Sequence, residues 1–116
     1  MPTTALATGY RVIMPGDGAS RDQSIDWPRE PGYDKLKALI EPLIGGGRLE
    51  HVSVLHDGKR RDMFVDDKGR MKGLPRNDRA TAIYRTNWLT QHPEVDPETL
   101  PFIAGPAVLF MRRVWY

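Results

Sequence analysis

The stretch GLPRNDRATAIYR, residues 73–85, is where an extended chain turns into a helix, and its reading divides the rest of the sequence. Pro75 holds its own φ and biases Leu74 away from helical geometry, so a helix begins after this pair. Asn77 then falls at the N-cap, its side-chain oxygen within reach of the amide of Arg79 or Ala80. Asp78 places a negative charge in the first turn, where the helix dipole favours it, while Arg76 and Arg79 bring the opposite sign. Downstream, Ala80, Ile83, Tyr84 and Trp88 recur at helical spacing and define an inward face. The helix stops before Pro93, and prolines at 93, 97, 101 and 106 punctuate an extended connection over residues 93–106.

Immediately upstream lies a hairpin signal. His51 to His56 alternates with Val52 and Val54 on one face, Asp57-Gly58 suits a two-residue type I′ turn, and Arg61 to Asp66 returns. A two-residue turn sets Met63 opposite Val52 and gathers Val54 and Val65 on the same apolar side, whereas a three-residue loop would bring Phe64 opposite Val52. Further back, Tyr33, Leu36, Leu39, Ile40 and Leu43 read as a first amphipathic helix, shortened by Pro42 and stopped by Gly45-Gly46-Gly47. Tyr10 to Met14 reads as a first strand. Residues 1–9 read as a flexible start and residues 15–31 as an irregular loop pinned by Trp27-Pro28.

On the other side of the motif, Ala107 to Met111 is almost uninterrupted apolar sequence, as expected of a central strand buried on both faces, with Arg112-Arg113 and Val114-Trp115-Tyr116 extending it to an edge. The element order is therefore β-α-β-β-α-β. It predicts an α+β domain, two-layer, with two helices on one face of a mainly antiparallel sheet; the ferredoxin-like split βαβ arrangement is the favoured topology.

Composition limits the functional classes. At 116 residues the chain holds one hydrophobic core, so residues 1–116 form a single domain. With 40% hydrophobic and 28% charged residues, it reads as globular rather than disordered. The absence of cysteine removes disulfides, thiolate metal sites and a cysteine nucleophile together. No basic segment precedes a sustained apolar run, so a cytoplasmic, soluble protein with no membrane partner is expected. Charge is concentrated: Lys59 to Arg85 holds nine basic and four acidic residues, a net of +5 within a chain of net +2.

Taken together, the first helix ending in Gly-Gly, the strand Leu49 to Leu55, the stretch FVDDKG at 64–69, the GLPxNxxAT pattern at 73–81 and IAGP at 103–106 resemble a family of small uncharacterised domains of phages, plasmids and other mobile elements. The likeness covers roughly residues 33–111. It carries no activity with it; it implies an accessory role in a mobile element, in anti-defence or phage metabolism. The loop 19–31 and the connection 93–101 are longer than that family's pattern.

The candidate site is the entrance to the second helix. Free N-terminal amides, the guanidiniums of Arg76 and Arg79, Lys72 nearby and the Thr81 hydroxyl suit a phosphorylated or nucleotide-like small molecule, with Asn77 at the cap. The competing reading makes Asn77 a cap only and pairs the arginines with neighbouring aspartates. A second candidate is a nucleic-acid or host-protein face on the basic hairpin, Lys59, Arg60, Arg61, Lys68 and Arg70, which interleaved Asp62, Asp66 and Asp67 dilute. Third, His51 invites acid–base chemistry but has no identifiable partner, and its strand position next to Val52 reads better as that of a hydrogen-bonded structural histidine. His51, His56 and His92 lack metal-ligand spacing. No cofactor, no metal and no catalytic residue is therefore expected, and a non-enzymatic binding protein, able to self-associate through an exposed strand edge, is the leading expectation.

Overall fold

The computed structural model describes residues 5–16, 18 and 20–116. It contains five strands and two α-helices: β1 (Leu6–Ile13), β2 (Arg21–Trp27), α1 (Tyr33–Leu43), β3 (Leu49–His56), β4 (Lys59–Asp66), α2 (Asp78–Gln91) and β5 (Ala107–Phe110), with a single 3-10 turn at Pro97–Thr99. The strands form one sheet in the order β2-β1-β5-β4-β3, and all four neighbouring pairs are antiparallel. The α+β class with an antiparallel sheet is thus what the chain adopts. No helix among the described residues is long and apolar enough to cross a membrane.

The hairpin β3–β4 takes the expected register. Val52 pairs with Met63 across the Asp57-Gly58 turn. Both turn residues have positive φ, 53° and 73°, as a type I′ turn requires. β5 fills the centre of the sheet, and all four of its residues are buried. Its alternation separates two cores. Val108 and Phe110 join Phe64, Tyr10, Val12 and Trp27 on the face covered by Leu36, Ile40 and Ile44 of α1 and its exit. Ala107 and Leu109 join Met63, Val65 and Val54 on the face covered by Ala80, Ile83 and Tyr84 of α2.

Three details of the expected topology are corrected. The helices do not share a face; each covers one side of the sheet, because Phe64 and Val108 on one side and Met63, Val65 and Leu109 on the other leave both faces apolar. Nor is the connectivity a split βαβ. β1 runs antiparallel to β5, β5 to β4 and β4 to β3, so β1 and β3 point in opposite directions. The third correction is an added strand: Arg21–Trp27, inside the segment read as irregular loop, is edge strand β2, paired residue for residue with β1 from Leu6↔Trp27 to Val12↔Arg21. Within it only Trp27 is buried, so it is held by ladder hydrogen bonds and lacks the periodic burial that marks a strand in sequence. β1 accordingly starts at Leu6, inside the segment read as flexible, while residues 1–4 lie outside the described set.

Residues 112–116 also depart from the expected strand extension. β5 ends at Phe110 and the following segment folds across the end of the sheet. Arg112 fastens it: its guanidinium donates to Thr8 Oγ1 (2.9 Å) and to the carbonyls of Pro28 (2.9 Å), Arg29 (2.9 Å) and Arg113 (2.8 Å). Thr8 is fully buried and passes the contact on to the Leu6 carbonyl.

Candidate functional site

At the entrance to α2, the cap geometry is as expected and more extensive. Asn77 is in an extended conformation and its Oδ1 accepts from the Ala80 amide at 3.1 Å. Its Nδ2 donates to the carbonyls of Ile13 and Gly105, both at 2.9 Å, and its own amide donates to the Ile103 carbonyl at 2.8 Å. Thr81 is buried, its hydroxyl accepting from the Ile103 amide at 2.9 Å. The Gly105 amide donates to the Pro75 carbonyl at 2.7 Å, and Arg76 forms an isolated bridge with Ala104. The two sequence patterns at 73–81 and 103–106 are therefore the two halves of one joint. Gly105 has a φ of 86° there, a left-handed conformation that glycine adopts without strain.

The cations of this entrance are also engaged. Arg76 pairs with Asp78 at 2.9 Å and lies over the Phe102 ring. Lys72 pairs with the buried carboxylate of Asp66 at 2.7 Å. Arg79 reaches to the turn that joins β1 and β2, where it donates to the carbonyls of Met14 (3.1 Å) and Gly18 and to Ser20 Oγ (3.2 Å). Of the five residues assigned to this site, Asn77 and Thr81 thus hold the joint and Lys72, Arg76 and Arg79 have partners within the chain. The basic hairpin is divided as well. Lys59, Arg60 and Arg61 begin β4, while Lys68 and Arg70 lie past its other end, about 23 Å away at ~3.3 Å per strand residue. Arg70 leans over Phe102 and the Arg61 guanidinium donates to the Met111 carbonyl at 2.7 Å.

A different cleft, of about 470 Å³, opens between β3–β4 and the 112–116 segment, lined by His51, Ser53, Arg60, Arg61, Asp62, Arg113 and Trp115. Strand alternation explains its membership: Ser53 pairs with Asp62 and His51 with Phe64, so all four point to the α1 side of the sheet, beyond the area that α1 covers. His51 Nε2 lies 2.8 Å from Asp62 Oδ1. A carboxylate only accepts, so Nε2–H donates. The imidazole stacks on Trp115, with ring centres 4.8 Å apart and planes 8° from parallel, and tilts against Phe64. Asp62 Oδ2 accepts from the amides of Val114 (2.8 Å) and Trp115 (3.0 Å). Burial pushes the Asp62 carboxyl up, but the hydrogen bond from His51 and those from the two amides outweigh it and hold the group below the ordinary carboxylate range.

Sequence reading named His51 and found no partner for it. Asp62 is that partner, eleven positions away and beyond the hairpin turn; the two-residue register places it diagonally across the strand pair from His51, on the same face. Arg113 and Trp115 were not assigned to a site at all, because nothing local announces that residues 112–116 turn back over β3–β4. Arg60 is exposed and donates to the neutral Ser53 hydroxyl at 2.7 Å. Arg113 is exposed, donates to the Trp115 carbonyl and sits 4.3 Å above the Tyr116 ring. Among the described residues neither arginine is bonded to a carboxylate. Chemically the cleft offers the guanidiniums of Arg60, Arg61 and Arg113, none of them paired with a carboxylate among the described residues, an oriented imidazole and an indole wall.

Comparison of the chain with protein-family models, with curated proteins and with solved structures found no match.

Proposed function

We propose that this chain is a binding module for an anionic, nucleotide-like ligand, taken up in the cleft between β3–β4 and residues 112–116, and that its setting is an accessory role in a mobile element. One observation carries the ligand class: Arg60 and Arg113 flank the cleft with one neutral acceptor each and no carboxylate partner among the described residues, whereas at the α2 entrance Lys72 and Arg76 are paired with carboxylates and Arg79 is held by several neutral acceptors of the β1–β2 turn. Guanidiniums match phosphate oxygens in a bidentate manner, and their hydrogen-bonding capacity is what a phosphoryl group would complete. Trp115 supplies the apolar wall against which a planar base can lie.

Calorimetric titration with nucleoside monophosphates, nucleoside triphosphates and inorganic pyrophosphate tests this reading. Binding by the native protein, weakened at least tenfold in an Arg60→Ala/Arg113→Ala double variant and retained in Arg76→Ala/Arg79→Ala, is the expected result. Loss confined to the second double variant would return the site to the α2 entrance. Absence of binding by every phosphate compound would overturn the reading.

A further inference from the structure

The cleft beside His51 does not end at Arg113. Arg113 also lines a second hollow of about 460 Å³ with Leu6, Arg29, Arg112 and Tyr116. Trp115 and Tyr116 line a third, of about 210 Å³, with Tyr33 and Glu30. Residues 112–116 are therefore the wall shared by three adjoining hollows, and the first two meet at Arg113. Along this wall charge and aromatic area interleave. Arg60, Arg113 and Arg29 are exposed, Tyr116 is 48% exposed and Tyr33 47% exposed. The Asp or Glu side chain facing the first hollow, Asp62, is turned inward to two amides and His51; no Asp or Glu side chain lines the second, and Glu30 stands at the third.

We infer that the occupant of this continuous surface is single-stranded nucleic acid, with phosphates at Arg60, Arg113 and Arg29 and an unpaired base on the Tyr116 ring. The inference rests on the anionic-ligand reading of the first hollow and extends it along the chain. A mononucleotide would fill one hollow and leave the second basic hollow empty; a strand brings a phosphate to each and a base to Tyr116, the aromatic of the second. Ring faces that lie at the surface beside cations recognise unpaired bases, because a duplex hides its base faces in the stack. Arg113 held 4.3 Å over Tyr116 fixes the ring with one side packed on a cation, which leaves the ring ordered for stacking.

Fluorescence anisotropy with end-labelled twelve-residue oligouridylate, oligothymidylate and a twelve-base-pair duplex tests the inference. Both single strands bind more tightly than the duplex, with affinity that falls steeply as salt rises, because each phosphate contact releases counterions. Tyr116→Ala weakens the single strands about tenfold, within the range base–aromatic stacking supplies, while Tyr116→Phe stays within twofold of native. Tyr116→Ala also leaves mononucleotide binding within twofold, since the first hollow lacks this residue. Preference of oligouridylate over oligothymidylate assigns the strand as RNA, and the reverse as DNA; either supports the inference. Duplex binding equal to single-strand binding, or an unchanged Tyr116→Ala, overturns it. If mononucleotides bind and no oligonucleotide does, this inference fails while the ligand-binding reading stands; if neither binds, both fail.

Discussion

Two regions of this molecule gather arginines, and they put them to opposite uses. At the entrance to α2, Arg76 faces Asp78, and Arg79 holds the carbonyls of the β1–β2 turn. Beside the 112–116 segment, Arg60 and Arg113 hold only a hydroxyl, a carbonyl and an aromatic face. The difference teaches that local charge density does not identify a site; what matters is whether the chain has already supplied the counter-charge or acceptor. The α2 entrance is the more conspicuous in sequence because a cap, a proline and a glycine must coincide there. That coincidence is the signature of a joint, since Asn77 alone links α2, the end of β1 and the loop before β5.

The sharpest way to break this contrast is at Asn77. If the residue were only a cap, Asn77→Asp would be neutral, because aspartate caps as well as asparagine. The joint requires its amide donors, and a carboxylate there would face the carbonyl oxygens of Ile13 and Gly105 in a fully buried position. Asn77→Asp is therefore expected to cost on the order of 3–5 kcal/mol, the sum of two lost buried hydrogen bonds and an unpaired buried charge. Urea unfolding at pH 7 measures it, and a loss below about 1 kcal/mol would reduce Asn77 to a cap.

Asp62 probes the other region with an intermediate effect. Replacing it with Asn keeps an acceptor for the amides of Val114 and Trp115 but removes the charge that His51 donates to; a loss of about 1–3 kcal/mol at pH 7 is expected. The pH dependence has a definite sign. The folded carboxyl lies below its unfolded value of about 3.9, so its contribution is present above that value and is lost as pH falls through the folded one. The gap between native protein and Asp62→Asn should consequently narrow below about pH 4, as followed by denaturant unfolding at successive pH values. A gap that persisted unchanged to pH 2 would mean that the carboxylate charge does not fasten residues 112–116.

What could be read from the sequence follows from how each element is held. Helix α1, the hairpin β3–β4 with its Asp57-Gly58 turn, and the central strand β5 bury periodic side chains, and their patterns are plain; α2 is marked instead by its cap, with Ala80 buried, Ile83 and Tyr84 partly buried and Trp88 outside both cores. β2 is held by backbone pairing to β1 with nearly all of its side chains exposed, so no pattern betrays it. The placement of the helices on opposite faces was written in the alternation of β4 and β5, where Met63, Phe64 and Val65, and Ala107 through Phe110, are buried on both sides; one strand buried on both faces implies cover on both. The cleft was hidden for a different reason. Its residues come from hairpin positions 51, 53, 60, 61 and 62 and from 113 and 115, and they meet through one buried carboxylate accepting two amides about fifty residues away. Contacts of that separation leave no spacing to read.

The smallest expected effect is the most direct measure of the two regions. Arg79→Ala removes several hydrogen bonds that tie the β1–β2 turn to α2, yet the side chain is exposed, so a loss of only about 1 kcal/mol is expected. Arg60→Ala and Arg113→Ala each remove an exposed cation bonded to one neutral acceptor, and each should change stability by less than ~0.5 kcal/mol. Thermal unfolding of the three variants side by side resolves the ordering. A site residue spared from structural duty can be removed at little cost to the fold, whereas Arg79 cannot; if Arg60 or Arg113 proved as costly as Arg79, its guanidinium would belong to the fold, and the distinction between an engaged and a free cluster of arginines would fall with it.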